Sequence, residues 1–242
     1  MARSRKKFAR NHQSSWLYGR HAVEAMLAGD RWRAEEVLAV DTDSLGTATG
    51  VRVVSETAER ITELVKTDDH QGVAARMPPY PYAEAGDLAG AGRVLVLDRV
   101  QYPMNFGTMV RSAEVFGVRD VLIGEAGQCG VTASVARMSA GAVFGCRVAR
   151  CDDLAAGVRT LRQGGLAVWA ATLEGGRPCV EVDLSGRAAV VIGRESDGVS
   201  PTVLDECDGR VFIPQAGRTQ SLNAAASAAI LLYESSRQRG FA

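Results

Sequence analysis

Apolar and polar positions follow two successive regimes along the chain. Ala22, Val23, Met26 and Leu27 recur at helical spacing, which predicts a helix from about His21, ended by Gly29 and Asp30. Glu36 to Val40 and Val51 to Val54 read as strands. Ser55 is placed to cap a helix running through Lys66, with Ala58, Ile61, Leu64 and Val65 on its buried face. Gly72 to Met77 reads as a last short strand. Together these elements predict a small α/β unit over residues 16–78. Residues 79–92 are rich in Pro, Gly and Ala, show no period, and read as a linker.

From Arg93 the pattern changes to alternating strands and helices. Val94 to Leu97 is an uninterrupted apolar run, as in a parallel strand covered on both faces. A helix is predicted over Asn105 to Phe116 and a strand over Asp120 to Ile123. Helical patterns follow at 131–140 and 152–163, and strands at 166–171 and 188–192. A short helix follows Pro201. Val211 to Ile213 reads as a short buried strand stopped by Pro214. A polar loop then leads to a helix whose first turns are almost all small residues, with Ser221 or Asn223 as its cap. This order predicts a doubly wound α/β domain over residues 93–242, with ligands beyond the carboxyl ends of its strands.

Composition narrows the classes. A chain of 242 residues holds one large or two small domains. No apolar run approaches the roughly 18 residues that a membrane span needs. The five cysteines, at 129, 146, 151, 179 and 207, show no Cys-x-x-Cys spacing, which points to reduced thiols and a cytoplasmic protein. His12, His21 and His70 are too few for a histidine-rich metal site, and no metal is expected. Net charge is formally zero, yet Arg3, Arg5, Lys6, Lys7 and Arg10 crowd a tail over residues 1–15 that carries no acid. Such a tail either screens phosphates or serves as a disordered, solubilising segment. Gly86, Gly90 and Gly92 precede a strand and form no Gly-x-Gly-x-x-Gly, which argues against a nicotinamide-dependent oxidoreductase.

Three loops carry candidate chemistry. The first follows the strand ending near Asp98 and reads Asn105-Phe-Gly-Thr-Met-Val-Arg111; Asn105 stands where a helix N-cap would be. The second follows Val190-Val-Ile192 and reads Gly193-Arg-Glu195-Ser-Asp-Gly198, two glycines bracketing an acid where backbone can approach a ligand closely. The third runs from Ile213 through Ser221-Leu222-Asn223. Taken singly, each also fits a capped helix, a surface arginine or an ordinary turn.

In this order and spacing the three loops resemble the motifs of the SpoU family of RNA ribose 2′-O-methyltransferases, within the SPOUT superfamily. The resemblance covers residues 93–242. A weaker one covers residues 16–78, where Tyr18-Gly-Arg-His-Ala-Val-Glu-Ala and His70-Gln-Gly-Val resemble the small N-terminal RNA-binding domain of the two-domain ribosomal RNA members. The resemblance implies a parallel-sheet domain tied in a deep trefoil knot, S-adenosylmethionine bound in the knot, no metal, and a homodimer. It implies 2′-O-methylation of a ribose in ribosomal RNA, 23S and guanosine favoured, in preference to transfer RNA.

Residue by residue, the family's first-motif Asn and Arg correspond to Asn105 and Arg111. Its second-motif Gly and Glu correspond to Gly193 and Glu195, and its third-motif Ser and Asn to Ser221 and Asn223. Cofactor contacts are expected at Gly193, Ile213 and Leu222, and at Thr172 at a strand end. One position departs: Ala225 stands where the family usually has Ser, and Ser227 offers a hydroxyl two positions later, pointing elsewhere on a helix. A guanidinium does not act as a base, since its pKa exceeds about 12. Arg111 is therefore expected to stabilise charge on the ribose oxygen or to grip a phosphate, and the base stays open between a phosphate oxygen and water. Glu195 is expected to orient Arg111 or a loop N–H, and Ser221 and Asn223 to order the cofactor-side loop. The rival readings are an RNA-binding protein of this fold without catalysis and a methyltransferase acting on another substrate.

Overall fold

The computed structural model describes residues 15–45 and 50–241. Apart from Ser15, the basic tail lies outside the described residues. Contacts divide the chain into two units. One comprises the chain up to Pro81 together with Val131–Phe144, the other Tyr82–Gly130 with Gly145–Ala242.

The first unit is a four-stranded sheet with helices. Its strands are β1 (Trp16–Tyr18), β2 (Glu36–Ala39), β3 (Arg52–Ser55) and β4 (Val73–Arg76), in the order β1-β4-β2-β3. β4 runs antiparallel to β1 and β2, whereas β2 and β3 are parallel. Helix α1 (Arg20–Ala28) buries Ala22, Val23 and Met26, as the spacing predicts. Helix α2 (Ala58–Val65) is capped by Thr57, whose side chain accepts from Arg60 N at 3.2 Å. Ser55 instead ends β3, because it pairs with Ala39 in the ladder. Leu38, Ile61, Val65 and Ala74 form the core between sheet and helix.

A later segment completes this unit. Helix α3 (Pro103–Val115) belongs to the second unit, whereas α4 (Ala133–Met138) belongs to the first. Val135, Ala136, Val143 and Phe144 are buried, and Phe144 stacks on Trp32 with ring centroids 5.5 Å apart. Arg137 lies over the Tyr18 ring at 4.2 Å. Gly141 has φ +86°, and a Cβ there would stand 2.3 Å from that of Ala25, so the close approach of this segment to α1 requires glycine.

The second unit is a seven-stranded sheet in which every paired neighbour is parallel. Its strands are β5 (Arg93–Leu97), β6 (Asp120–Gly124), β7 (Arg147–Cys151), β8 (Ala167–Ala171), β9 (Arg177–Pro178), β10 (Ala188–Ile192) and β11 (Gly209–Phe212). Their order is β7-β6-β5-β10-β8-β11-β9. Strand β10 sits centrally and all five of its residues are buried, which explains its purely apolar run. The helices are α3, α5 (Leu154–Gln163), α6 (Pro201–Leu204) and α7 (Ala224–Gln238). On α3, Phe106, Met109, Val110 and Ala113 recur at helical spacing and are buried, and this helix packs against α7. On α5 the same spacing buries Leu154, Gly157, Val158 and Leu161, with Asp153 as N-cap. This is the expected α/β architecture. Among the described residues no helix is long and apolar enough to cross a membrane.

Candidate functional site

Because neighbours in this sheet are parallel, β5, β10, β8 and β11 end on one side. Asp98, Gly193, Thr172 and Ile213 lie at or just beyond those ends. There the structure forms a cavity of about 360 Å³, within the usual size of a small-molecule site. Thr172, Gly193, Ile213 and Leu222, the four expected cofactor positions, all lie on its wall, as do Ser221 and Glu195. The Thr172 N–H donates to Val211 O at 2.9 Å, and the hydroxyl Oγ1 of Thr172 is buried with no hydrogen-bond partner among the described residues.

The loop after β10 has a fixed shape. Arg194 N donates to Gly198 O at 3.1 Å, and Gly198 N returns to Arg194 O at 2.8 Å. A Cβ on Gly193 would fall 2.1 Å from Gly198 C and 2.2 Å from Val199 N. Glycine is therefore demanded by the loop's own backbone, a cause distinct from the expected approach of a ligand.

The exit of β5 straps this loop. Asp98 is 3% exposed and accepts from Ser200 N at 2.5 Å, while its own N–H donates to Ile192 O. Arg99, with φ +61°, donates to Asp98 Oδ1 at 3.2 Å, Asp197 Oδ2 at 2.6 Å and Gly198 O at 3.0 Å. Arg194 donates to the other Asp197 oxygen at 2.6 Å. Hydrogen bonds from Arg194, Ser196 and Arg99 hold the Asp197 carboxyl well below the usual carboxylate range. None of Asp98, Arg99 and Asp197 stands out in sequence beyond Asp98 closing an apolar strand. Their partners lie up to 102 residues away.

At the rim of the cavity three motif residues meet. Asn105 Nδ2 donates to Glu195 Oε1 at 2.8 Å, and Asn223 Nδ2 donates to the same atom at 2.5 Å. Asn223 Oδ1 accepts from Ala225 N at 2.8 Å and Ala226 N at 3.3 Å, so Asn223 is the N-cap of α7. Asn105 is not a cap. Pro103 starts the helix two residues earlier, Tyr102 occupies the cap position, and the Asn105 side chain is free to face Glu195. The partners of Glu195 are these two amides, not Arg111.

Arg111 is exposed and makes no ion pair or hydrogen bond among the described residues. It lies on the same helix as Asn105, within α3, but does not join the cluster. Ser221 is exposed on the cavity wall.

The departure at Ala225 acquires a physical reading. Ala225 is 4% exposed and belongs to the packed face of α7. Ala224, Ser227 and Leu231, at helical spacing, face the cavity. Ser227 therefore points away from position 225, as expected on a helix, and its place is on the cavity wall.

The SpoU rRNA Methylase family matches residues 92–233, and the family described as RNA 2′-O ribose methyltransferase substrate binding matches residues 16–83. An uncharacterised tRNA/rRNA methyltransferase of Synechocystis is 34% identical over 242 residues, covering 93% of this chain and 63% of its own. A Bacillus subtilis protein named for the TrmH family of tRNA/rRNA methyltransferases is 30% identical, covering 95% of this chain and 98% of its own. The chain thus spans about three-fifths of the length of several curated relatives it matches. Among solved structures, an AdoMet-bound rRNA methyltransferase from Sinorhizobium meliloti superposes with a TM-score of 0.81 at 25% identity, covering 96% of this chain and 90% of that one.

Proposed function

The chain belongs to the SpoU rRNA methylase family, and on that premise we propose that it methylates the 2′-oxygen of a ribose in RNA, with S-adenosylmethionine as donor. The observation that carries the reading is the convergence of three sequence-distant loops on one cavity. The four expected cofactor positions line it, and the Asn105–Glu195–Asn223 cluster stands at its rim.

The cavity fits such a cofactor in size and in lining. Ile213 and Leu222 offer apolar surface, Gly193 offers backbone, and Thr172 holds a hydroxyl unpartnered among the described residues. When bound, the sulfonium supplies an electrophilic methyl group. The chain's own task is to position the ribose hydroxyl and to stabilise the charge that develops on its oxygen. Arg111, unpaired among the described residues, is available to that oxygen or to a neighbouring phosphate. Glu195, held by two amides, fixes α3 and the start of α7 around the cavity rim. The proton leaves to a phosphate oxygen or to water.

The proposed substrate is ribosomal RNA, 23S and guanosine favoured, in preference to transfer RNA. The match of residues 16–83 to a substrate-binding family supports an RNA of some size. The proposal includes a cytoplasmic homodimer, and a backbone knot in the segment that carries Leu222 and Asn223. Exposed apolar residues on α3 and α7, among them Val115, Ile230 and Tyr233, support a second copy as partner. The test is mapping of ribose methylation on ribosomal and transfer RNA from cells with and without the protein. One site lost with the gene and restored by the purified chain with S-adenosylmethionine is expected. Unchanged maps, with no transfer in vitro, exclude the proposal.

A further inference from the structure

A second, smaller hollow adjoins the first. It shares Gly193, Arg194, Glu195 and Ala224 with the large cavity and adds Tyr102 and Asn105 on the far side of the loop. Tyr102 is the largest side chain there and is 63% exposed. It occupies the N-cap position of α3 but makes no capping hydrogen bond, and among the described residues no ring contact of its own is found.

The backbone under this ring is held on every side. Pro103 restricts the residue before it to extended geometry, and Tyr102 has φ −95° and ψ 124°. The Tyr102 carbonyl accepts from Phe106 N at 3.1 Å. Two residues earlier, Val100 N donates to the side chain of the buried Gln128 at 2.8 Å, and Cys129 N donates to Val100 O at 2.8 Å. Tyr102 and Asn105 are three apart at a helix start and so share a side. The ring is thus an open aromatic surface carried on a well-held stretch of backbone, next to the Asn105–Glu195–Asn223 cluster.

Resting on the methyltransferase reading, we propose that Tyr102 is the platform on which the unstacked base of the target nucleotide stacks. A ribose that reaches the large cavity across the shared loop brings its base onto the exposed face of Tyr102, beside the small hollow. RNA is read largely through splayed bases stacked on aromatic side chains. Stacking tolerates any base, so Tyr102 supplies affinity and orientation and leaves base identity to other contacts.

The test uses the full chain and whichever of the in vitro transcribed ribosomal and transfer RNAs accepts a tritiated methyl group from S-adenosylmethionine. Loss of one base–aromatic stack corresponds to about 5- to 150-fold. Tyr102→Ala is expected to raise KM for the RNA by that order, with a smaller change in the saturating rate and an unshifted calorimetric affinity for S-adenosylmethionine. Tyr102→Phe restores KM, because stacking needs the ring and not the hydroxyl, and Tyr102→Leu does not. An unchanged KM in Tyr102→Ala, or full recovery with Leu, overturns the proposal. So does a lower sedimentation mass for Tyr102→Ala, which assigns the ring to a subunit contact. Failure of the unmodified chain to methylate any of these RNAs removes the enzymatic reading itself, a result distinct from activity that ignores Tyr102.

Discussion

Asn105 and Asn223 stand 118 residues apart in sequence and donate to the same atom, Oε1 of Glu195. The carbonyl of Asn223 is committed to the first N–H groups of α7, so only its amino group can face Glu195. One side chain thus starts a helix and completes the rim of the site.

These two duties separate by mutation. Asn223→Ala loses both, and the lost cap costs about 1 kcal/mol of stability. Asn223→Asp keeps the cap but turns a carboxylate toward Glu195. Thermal melts are expected to show Asp close to the natural chain and Ala clearly lower. Single-turnover methyl transfer is expected to fall in both by about 10- to 150-fold, the worth of a hydrogen bond to a charged group. Full activity in Asn223→Asp removes the cluster from the mechanism.

Arg111 gives a cleaner separation. It touches nothing charged in the described protein, so Arg111→Ala is expected to change stability by less than about 0.5 kcal/mol. Cofactor affinity should hold, since the donor is cationic and gains nothing from a guanidinium. The rate of methyl transfer should drop by about 10² to 10³, with Arg111→Lys recovering only part. A near-natural rate for Arg111→Ala would mark it as an ordinary surface arginine.

At Gly193 the smallest side chain already collides with backbone of Gly198 and Val199. Gly193→Ala is therefore expected to distort the loop before any ligand arrives. Isothermal titration should show S-adenosylmethionine affinity lost even for this single methyl, with a lowered melting temperature. Retained affinity would show that the loop can re-form around a Cβ.

The strap from Arg99 to Asp197 predicts a pH response. The folded carboxyl of Asp197 lies below its ordinary value of 3.8, so its contribution is fully present above that value and is lost as pH falls below it. Cofactor affinity should therefore owe nothing to Asp197 titration at neutral pH. Because the carboxylate is exposed, Arg99→Ala should weaken cofactor binding by only about two- to fivefold. No change at all would show that the buried Asp98 alone holds the loop.

A chain starting near Ala91 has been stripped of more than a domain. Residues 131–144 remain, and their packing partners Trp32, Ala25 and Tyr18 are gone. Val143 and Phe144 are almost fully buried, and exposing such side chains costs about 1.5–3 kcal/mol each. The shortened chain is expected to melt lower and to bind hydrophobic dye. Replacing Val143 and Phe144 with polar residues should relieve the dye binding. A shortened chain that melts like the whole one would show that the segment repacks.

How much was legible in sequence varied with the range of the interaction. The apolar run Val94 to Leu97 announced a covered parallel strand, and this is β5. Short strands were unreadable, because Trp16–Tyr18 and Arg177–Pro178 offer too few positions for a period. Arg147–Cys151 was hidden by arginines at both Arg147 and Arg150 on an edge strand. Asn105 was misread as a cap because a proline two residues earlier is an equally good helix start. The wall positions Thr172, Gly193, Ile213 and Leu222 were named through resemblance, whereas the Arg99 strap depends on spatial neighbours that no local pattern records.

The return of residues 131–144 to the first unit also sets a schedule for synthesis. When Pro81 has emerged from the ribosome, Trp32 still lacks Phe144 and Ala25 still lacks the close approach of Gly141. At about 5–20 residues per second, Phe144 follows several seconds later. Over that interval the nascent first unit carries an uncovered aromatic face, open to chaperones and to wrong neighbours alike. It closes only after β5 and β6 of the second unit have been made.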